Sequence, residues 1–207
     1  MLNNRFISFE GIDGSGKTTQ IELLKHSLSK LGENIIVLRE PGGTSISEKI
    51  RAILLDKENL ELSNDAECLL FFASRNQLVK EKIMPELNKG SFVICDRFND
   101  STIAYQGYGF NMDINKLETI SNFATFNKYP DLTFYLDISA ELSVQRRETI
   151  ESDRIESKGI EYLERVRQGF LSISDKYPNR IITIDASLGK RKISEIIWSI
   201  IKEKYGF

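Results

Sequence analysis

Apolar residues along this chain fall into two alternating patterns: short unbroken runs, and longer stretches where they recur every third or fourth position. The runs at 5–10, 34–38, 91–95, 131–137 and 180–185 predict strands. The last four are almost wholly apolar, which is the pattern of strands covered on both faces. Between the runs the spacing becomes helical. Ile21, Leu24, Leu28 and Leu31 mark a helix over 17–31, with Gly32 as its stop. Further helices are predicted at 45–55, 64–80 with a shorter piece ending near Asn88, 113–127, 141–150, 159–176 and 192–204. Strand followed by helix five times predicts an α/β fold, a five-stranded parallel sheet with helices on both faces. On a helical wheel of 64–80, Ala66, Leu69, Leu70, Ala73 and Gln77 gather on one arc, the predicted core face. Phe71 and Arg75 share the opposite face, which suits a planar ligand stacked on the ring and hydrogen-bonded at its edge.

Length and composition narrow the class. A chain of 207 residues makes one domain, 1–207. Net charge is -2, so no overall basic field exists to hold nucleic acid or an anionic membrane. The longest uncharged stretch, Ser101 to Met112, is too short and too polar to span a bilayer. No signal peptide precedes the first strand, and Cys68 and Cys95 read as two reduced thiols, so a cytoplasmic protein is expected. His26 is the one histidine, which excludes a histidine-centred metal cluster. The polar stretch 148–158 breaks the alternation and is a candidate mobile loop.

Chemistry enters directly after the first strand. Gly11-Ile12-Asp13-Gly14-Ser15-Gly16-Lys17-Thr18 matches G-x-x-x-x-G-K-[ST], between a strand and a helix as that phosphate loop requires. Backbone N–H groups and the helix N-terminus would cradle phosphate, Lys17 would reach the terminal phosphates, and Thr18 would bind Mg²⁺. The glycine spacing is wrong for a dinucleotide site. The closest approach to a guanine-reading Asn-Lys-x-Asp is Asn115-Lys116-Leu117-Glu118, with the wrong acid and inside a predicted helix. Ligands of open parallel sheets bind beyond the carboxyl ends of strands, where Arg39-Glu40-Pro41-Gly42-Gly43-Thr44, Asp96-Arg97-Phe98 and Ser101 to Gly107 all fall. Asp96 would serve the metal and Arg97 a phosphate, although Asp137 and Asp185 end strands too.

These segments together carry a resemblance. Phe9 to Gln20, Arg39 to Thr44, Phe71-x-x-x-Arg75, Asp96-Arg97-Phe98 and Ala104-Tyr105-Gln106-Gly107 are similar, in order and spacing, to the bacterial thymidylate kinases, P-loop kinases of nucleoside monophosphates. Phe98, where the family more often has Tyr, and Thr102, where serine is common, are mild departures. The resemblance implies transfer of the γ-phosphate of ATP to dTMP, with Mg²⁺, in a cytoplasmic homodimer. It implies that Gly11 to Thr19 hold ATP phosphates and that Arg146 packs on adenine. It implies a dTMP site of Asp13 at the sugar 3′-hydroxyl, Arg51 and Arg97 at the phosphate, Phe71 on the base, Arg75 and Gln106 at its edges, and Tyr105 against the 2′ carbon, with Pro41 and Thr102 also in the site. A tight turn with a cis Glu40–Pro41 peptide is expected at the acceptor site. Some members carry an arginine inside the phosphate loop; this loop has none. A mobile lid over about 146–158 is the expected source of the missing charge, with Arg154 in Asp153-Arg154-Ile155-Glu156 as the catalytic arginine and Arg147 in reserve.

Overall fold

A computed structural model describes residues 5–147 and 158–207. The five strands, β1 (Phe6–Glu10), β2 (Ile35–Arg39), β3 (Phe92–Asp96), β4 (Leu132–Asp137) and β5 (Ile181–Asp185), form one parallel sheet in the order β2-β3-β1-β4-β5. The helices are α1 (Lys17–Ser29), α2 (Ser45–Leu55), α3 (Asn64–Leu78), α4 (Met84–Asn88), α5 (Asn99–Thr102), α6 (Ile114–Thr125), α7 (Ala140–Arg146), α8 (Ile160–Lys176) and α9 (Lys190–Tyr205). A π-helical turn at Val79–Ile83 joins α3 to α4. Side-chain caps set several helix starts: Thr44, Ser63, Asp113 and Ser139 each accept a backbone N–H of the first turn.

Register places the site. Phe9 lies opposite Asp96 and Glu10 opposite Tyr135, so β1 and β3 end within a residue of each other and β4 runs two residues further. The three central strands are buried because helices cover both faces. Phe6, Ile7 and Phe9 are at most 1% exposed, and burial of a side chain of that size stabilises by about 1.5–3 kcal/mol. The chain also holds a helix that apolar spacing does not announce. After α5 the backbone runs on as a π-helix, Ile103–Gly109. Its wider turn scrambles the 3.6-residue rhythm, and π segments cluster at functional sites. Helix α8 packs on it so closely that a Cβ at Gly169 would stand 2.8 Å from Tyr108.

Four expectations need correction. Strands β2 and β5 are only partly covered, because they are the sheet edges. Helix α1 ends at Ser29, leaving Leu31 half exposed in the turn. The helix expected at 141–150 ends at Arg146, and 148–150 lie outside the described residues. The core face of α3 is not the apolar arc: Leu69 is 56% exposed, while Glu67, Cys68, Phe72, Ser74, Arg75 and Leu78 are buried. The buried side carries polar groups whose partners come from distant segments, which a wheel cannot see.

Candidate active site

The phosphate loop leaves β1 with Gly11, Gly14 and Gly16 all at positive φ, a backbone that a side chain would strain. Lys17 is buried in its curl and donates to the carbonyls of Gly11 at 3.0 Å and Ile12 at 3.2 Å. Burial and the nearby Arg97 pull its pKa down. Burial also disfavours charge on Asp13, but Arg97 and Lys17 outweigh it and hold that carboxyl well below its ordinary range. Helix α7 is clamped on the loop. Ser143 Oγ donates to the Asp13 carbonyl at 2.6 Å, and Arg146 donates to the carbonyls of Gly14 and Ala186. A Cβ at Gly14 would sit 3.0 Å from the Ser143 carbonyl. Ile12 is a core side chain, so only its backbone can meet a ligand.

Three strands end in aspartate, and geometry separates them. Thr18 Oγ1 donates to Asp96 Oδ2 at 3.1 Å across the loop. Asp137 is held by Arg167 at 2.8 and 3.0 Å and by the Tyr135 hydroxyl at 2.7 Å. Asp185 accepts the Ser187 N–H. The Thr18–Asp96 pair offers hard oxygen donors, the chemistry Mg²⁺ prefers, and Mg²⁺ typically takes one or two protein carboxylates plus substrate phosphates. Among the described residues no group of three or more His, Cys, Asp or Glu side chains makes a metal cage.

A cavity of about 730 Å³ opens beyond the ends of β1, β2 and β3, from the phosphate loop to Phe71 and Gln106. Glu40–Pro41 is cis at its edge, and Arg51 donates to the Pro41 carbonyl at 2.9 Å. Arg97 has φ 71, and its guanidinium reaches Asp13 at 2.7 Å, Gly11 O at 2.9 Å, and the Ser101 and Tyr105 hydroxyls at 3.2 Å. The Arg97 guanidinium also lies over the Tyr105 ring at 5.0 Å. Gln106 is buried and donates to Glu67 at 3.0 Å.

Arg75 is 1% exposed, not turned from the core as expected. It spans the cavity floor, donating to Glu40 at 2.6 Å, Thr102 at 2.9 Å and the Phe98 carbonyl at 3.1 Å. Burial raises the Glu40 carboxyl against the pull of Arg75. Glu40 Oε1 finds no partner among the described residues.

The expected site residues therefore converge. Gly14, Gly16, Lys17, Thr18, Thr19 and Asp13 line the cavity on the loop side. Pro41, Arg51, Phe71, Thr102, Tyr105 and Gln106 line the far side, with Asp96, Arg97 and Arg146 between. Gly11, Ile12 and Ser15 are buried in the loop behind them. Arg154 lies outside the described residues. Sequence reasoning missed Glu40, Glu67 and Ser143, whose roles are to hold Arg75, Gln106 and Asp13. Glu40 had a signal in its motif; the other two had none.

A five-stranded parallel sheet with a lysine-bearing phosphate loop at one end of an arginine-lined cavity defines a P-loop nucleotide kinase. A family model described as thymidylate kinase matches residues 9–197. The chain is 44% identical over 202 residues to the thymidylate kinase of Caldanaerobacter subterraneus, covering 98% of this chain and 97% of that protein. It is 46% identical over 198 residues to that of Thermosipho africanus, covering 96% and 98%. The crystal structure of thymidylate kinase from Ehrlichia chaffeensis superposes with a TM-score of 0.78 at 35% identity, covering 95% of this chain and 97% of that one. The chain belongs to the thymidylate kinase family.

Proposed function

We propose that this chain transfers the γ-phosphate of ATP to dTMP, giving dTDP and ADP, a step toward dTTP. The observation that carries this reading is the juxtaposition of an intact phosphate loop with a pocket framed by cis Pro41, Phe71 and Gln106. Residues Gly11 to Thr19 hold the ATP phosphates, and Arg146 covers adenine. On the acceptor side Phe71 stacks on thymine, while Arg75, Thr102 and Gln106 meet its polar edges. Arg51 and Arg97 hold the dTMP phosphate, Asp13 takes the 3′-hydroxyl, and Tyr105 leaves no room for a 2′-hydroxyl. The attacking phosphate oxygen has a second pKa of about 6, so it is largely ionised at neutral pH and needs no general base. Positioning and neutralisation by Lys17 and Arg97 then carry the reaction. Thr18 and Asp96 would hold Mg²⁺, which supplies charge neutralisation at the transferred phosphate.

The same reading assigns the segment about 146–158 as a lid bringing Arg154 to the transferred phosphate. Arg154→Ala is expected to lower kcat by roughly 10³-fold; a change of a few-fold moves the role to Arg147. It also makes the protein a cytoplasmic homodimer whose partners are the small-molecule nucleotides ATP and dTMP. Support for a second copy comes from apolar side chains left outside on neighbouring helices: Ile53 on α2, Leu69 on α3 and Phe123 on α6, the last 81% exposed. The test is a turnover assay of ATP with dTMP, repeated with dUMP, dCMP, AMP and GMP. Preferred turnover of dTMP supports the reading, and preference for another acceptor ends it.

A further inference from the structure

Glu10 ends β1 with a side chain that no role above uses. It is fully buried, in a place where a carboxyl group needs a reason. Its two oxygens are both engaged on the far side of a turn. Oε1 accepts the Phe98 N–H at 2.7 Å, and Oε2 accepts the Ser101 hydroxyl at 2.5 Å. Immediately before the first of these anchor points stands Arg97, in the left-handed backbone that few residues other than glycine adopt.

The turn is bound from both ends. The Arg97 N–H continues the ladder to the Phe9 carbonyl at 3.0 Å. The next N–H, of Phe98, points out of the ladder, and Glu10 supplies the acceptor. Ser101, held by Glu10, accepts in turn from Arg97 Nη1 at 3.2 Å. A continuous chain therefore runs from the end of β1 through Glu10 and Ser101 to the guanidinium. The other side-chain partners of that guanidinium, Asp13 and Tyr105, face the cavity and would be shared with a bound nucleotide. Glu10 and the Gly11 carbonyl form the mooring behind the cavity, and Ser101, at the cavity wall, links Glu10 to the guanidinium. Burial and the Asp100 carboxylate push the Glu10 carboxyl up to about 8, so the arrangement is held against an electrostatic cost.

We propose that Glu10 is a positioning residue for Arg97: its carboxyl group, acting through the Phe98 N–H and the Ser101 hydroxyl, sets the guanidinium in place before the acceptor phosphate arrives. The inference rests on the reading of Arg97 as a ligand of the dTMP phosphate. Glu10→Ala would strand a buried N–H and risk the fold, so the test uses Ser101→Ala and Glu10→Gln. The first removes the hydroxyl that joins Glu10 Oε2 to Arg97 and leaves the Glu10 bond to the Phe98 N–H in place. The second keeps the size of the side chain but turns a hydrogen-bond donor toward Ser101.

Affinity for dTMP by calorimetry and KM for both substrates are measured in wild-type and Arg97→Ala backgrounds. In the wild-type background both variants are expected to weaken dTMP about tenfold, the scale of one hydrogen bond to a charged group, with KM for ATP within twofold. In the Arg97→Ala background the same changes should have no further effect. Wild-type affinity in both variants overturns the inference, as does an undiminished loss without Arg97, since Glu10 would then act on the fold elsewhere. Unchanged dTMP affinity in Arg97→Ala itself overturns the role of Arg97, and the inference with it.

Discussion

Strands β3 and β4 lie on either side of β1 and end alike, in an aspartate after a buried apolar run, yet the two ends do different things. At the end of β4, Asp137 takes two bonds from Arg167 and one from Tyr135. Burial disfavours its charge, but the Arg167 and Tyr135 hydrogen bonds win and hold the carboxyl below its ordinary range. Its oxygens are spent on the protein, and it ties α8 to the sheet. At the end of β3, Asp96 receives the Thr18 hydroxyl and looks into the cavity with Lys17 and Arg97. The arginine next to it in sequence turns to Asp13 instead. What distinguishes the two aspartates is how much of the hydrogen-bonding capacity of each the fold has already used.

The comparison can be broken or sharpened by substitution. Lys17→Ala should have the largest effect, lowering turnover by roughly 10³-fold or more while the thermal transition stays near wild type, because its ammonium group meets loop carbonyls and the cavity rather than the apolar core. A collapsed transition in the absence of nucleotide would make Lys17 structural. Asp96→Asn should lower kcat by about 10²-fold with little change in Tm. Asp137→Asn should do the reverse. It keeps kcat within a few-fold and loses about 1.5 kcal/mol of stability, which for a domain of this size lowers Tm by about 3–6 °C. If both variants lose activity equally, the distinction drawn between the strand ends is wrong. Phe71→Ala should raise KM for dTMP by roughly 5- to 150-fold and leave ATP nearly alone, as expected for loss of one base stack. Equal losses for both substrates would assign Phe71 to packing.

A subtler contrast lies in pH. Asp137 has a depressed folded pKa, so its contribution is complete above its ordinary value of 3.8 and is lost as pH falls through the lower folded value. Glu10 is raised from 4.5 to about 8, so its protonated folded form favours stability at low pH, and that contribution drains away as pH rises through the window between those values. Denaturant unfolding from pH 5 to 9 should therefore show Glu10→Gln flatter than wild type, and a parallel pair of curves would contradict the shift.

Much of the fold and of the cavity lining was legible in the sequence. The phosphate loop, the five strand–helix repeats, the Asp96-Arg97 step and the helix starts are local: each depends on spacing, capping or glycine at fixed offsets within a few residues. The cis Glu40–Pro41 peptide, expected from the resemblance, is present as well. What local reading got wrong has two causes. On α3 the apolar arc pointed to Leu69 and Ala73, yet the helix buries Glu67 and Arg75, because Gln106 and Glu40 come from other segments to satisfy them. The π-helix at Ile103–Gly109 stayed hidden because its period is not the helical one sought. The sequence by itself determined the phosphate-loop pattern and the kind of sheet that carries it, since those follow from short-range backbone geometry. Which aspartate serves the site, which face of α3 is inside and what moors Arg97 were decided by tertiary structure alone, because a buried polar group is stable only beside its partner, and the partner's place is set by the whole sheet.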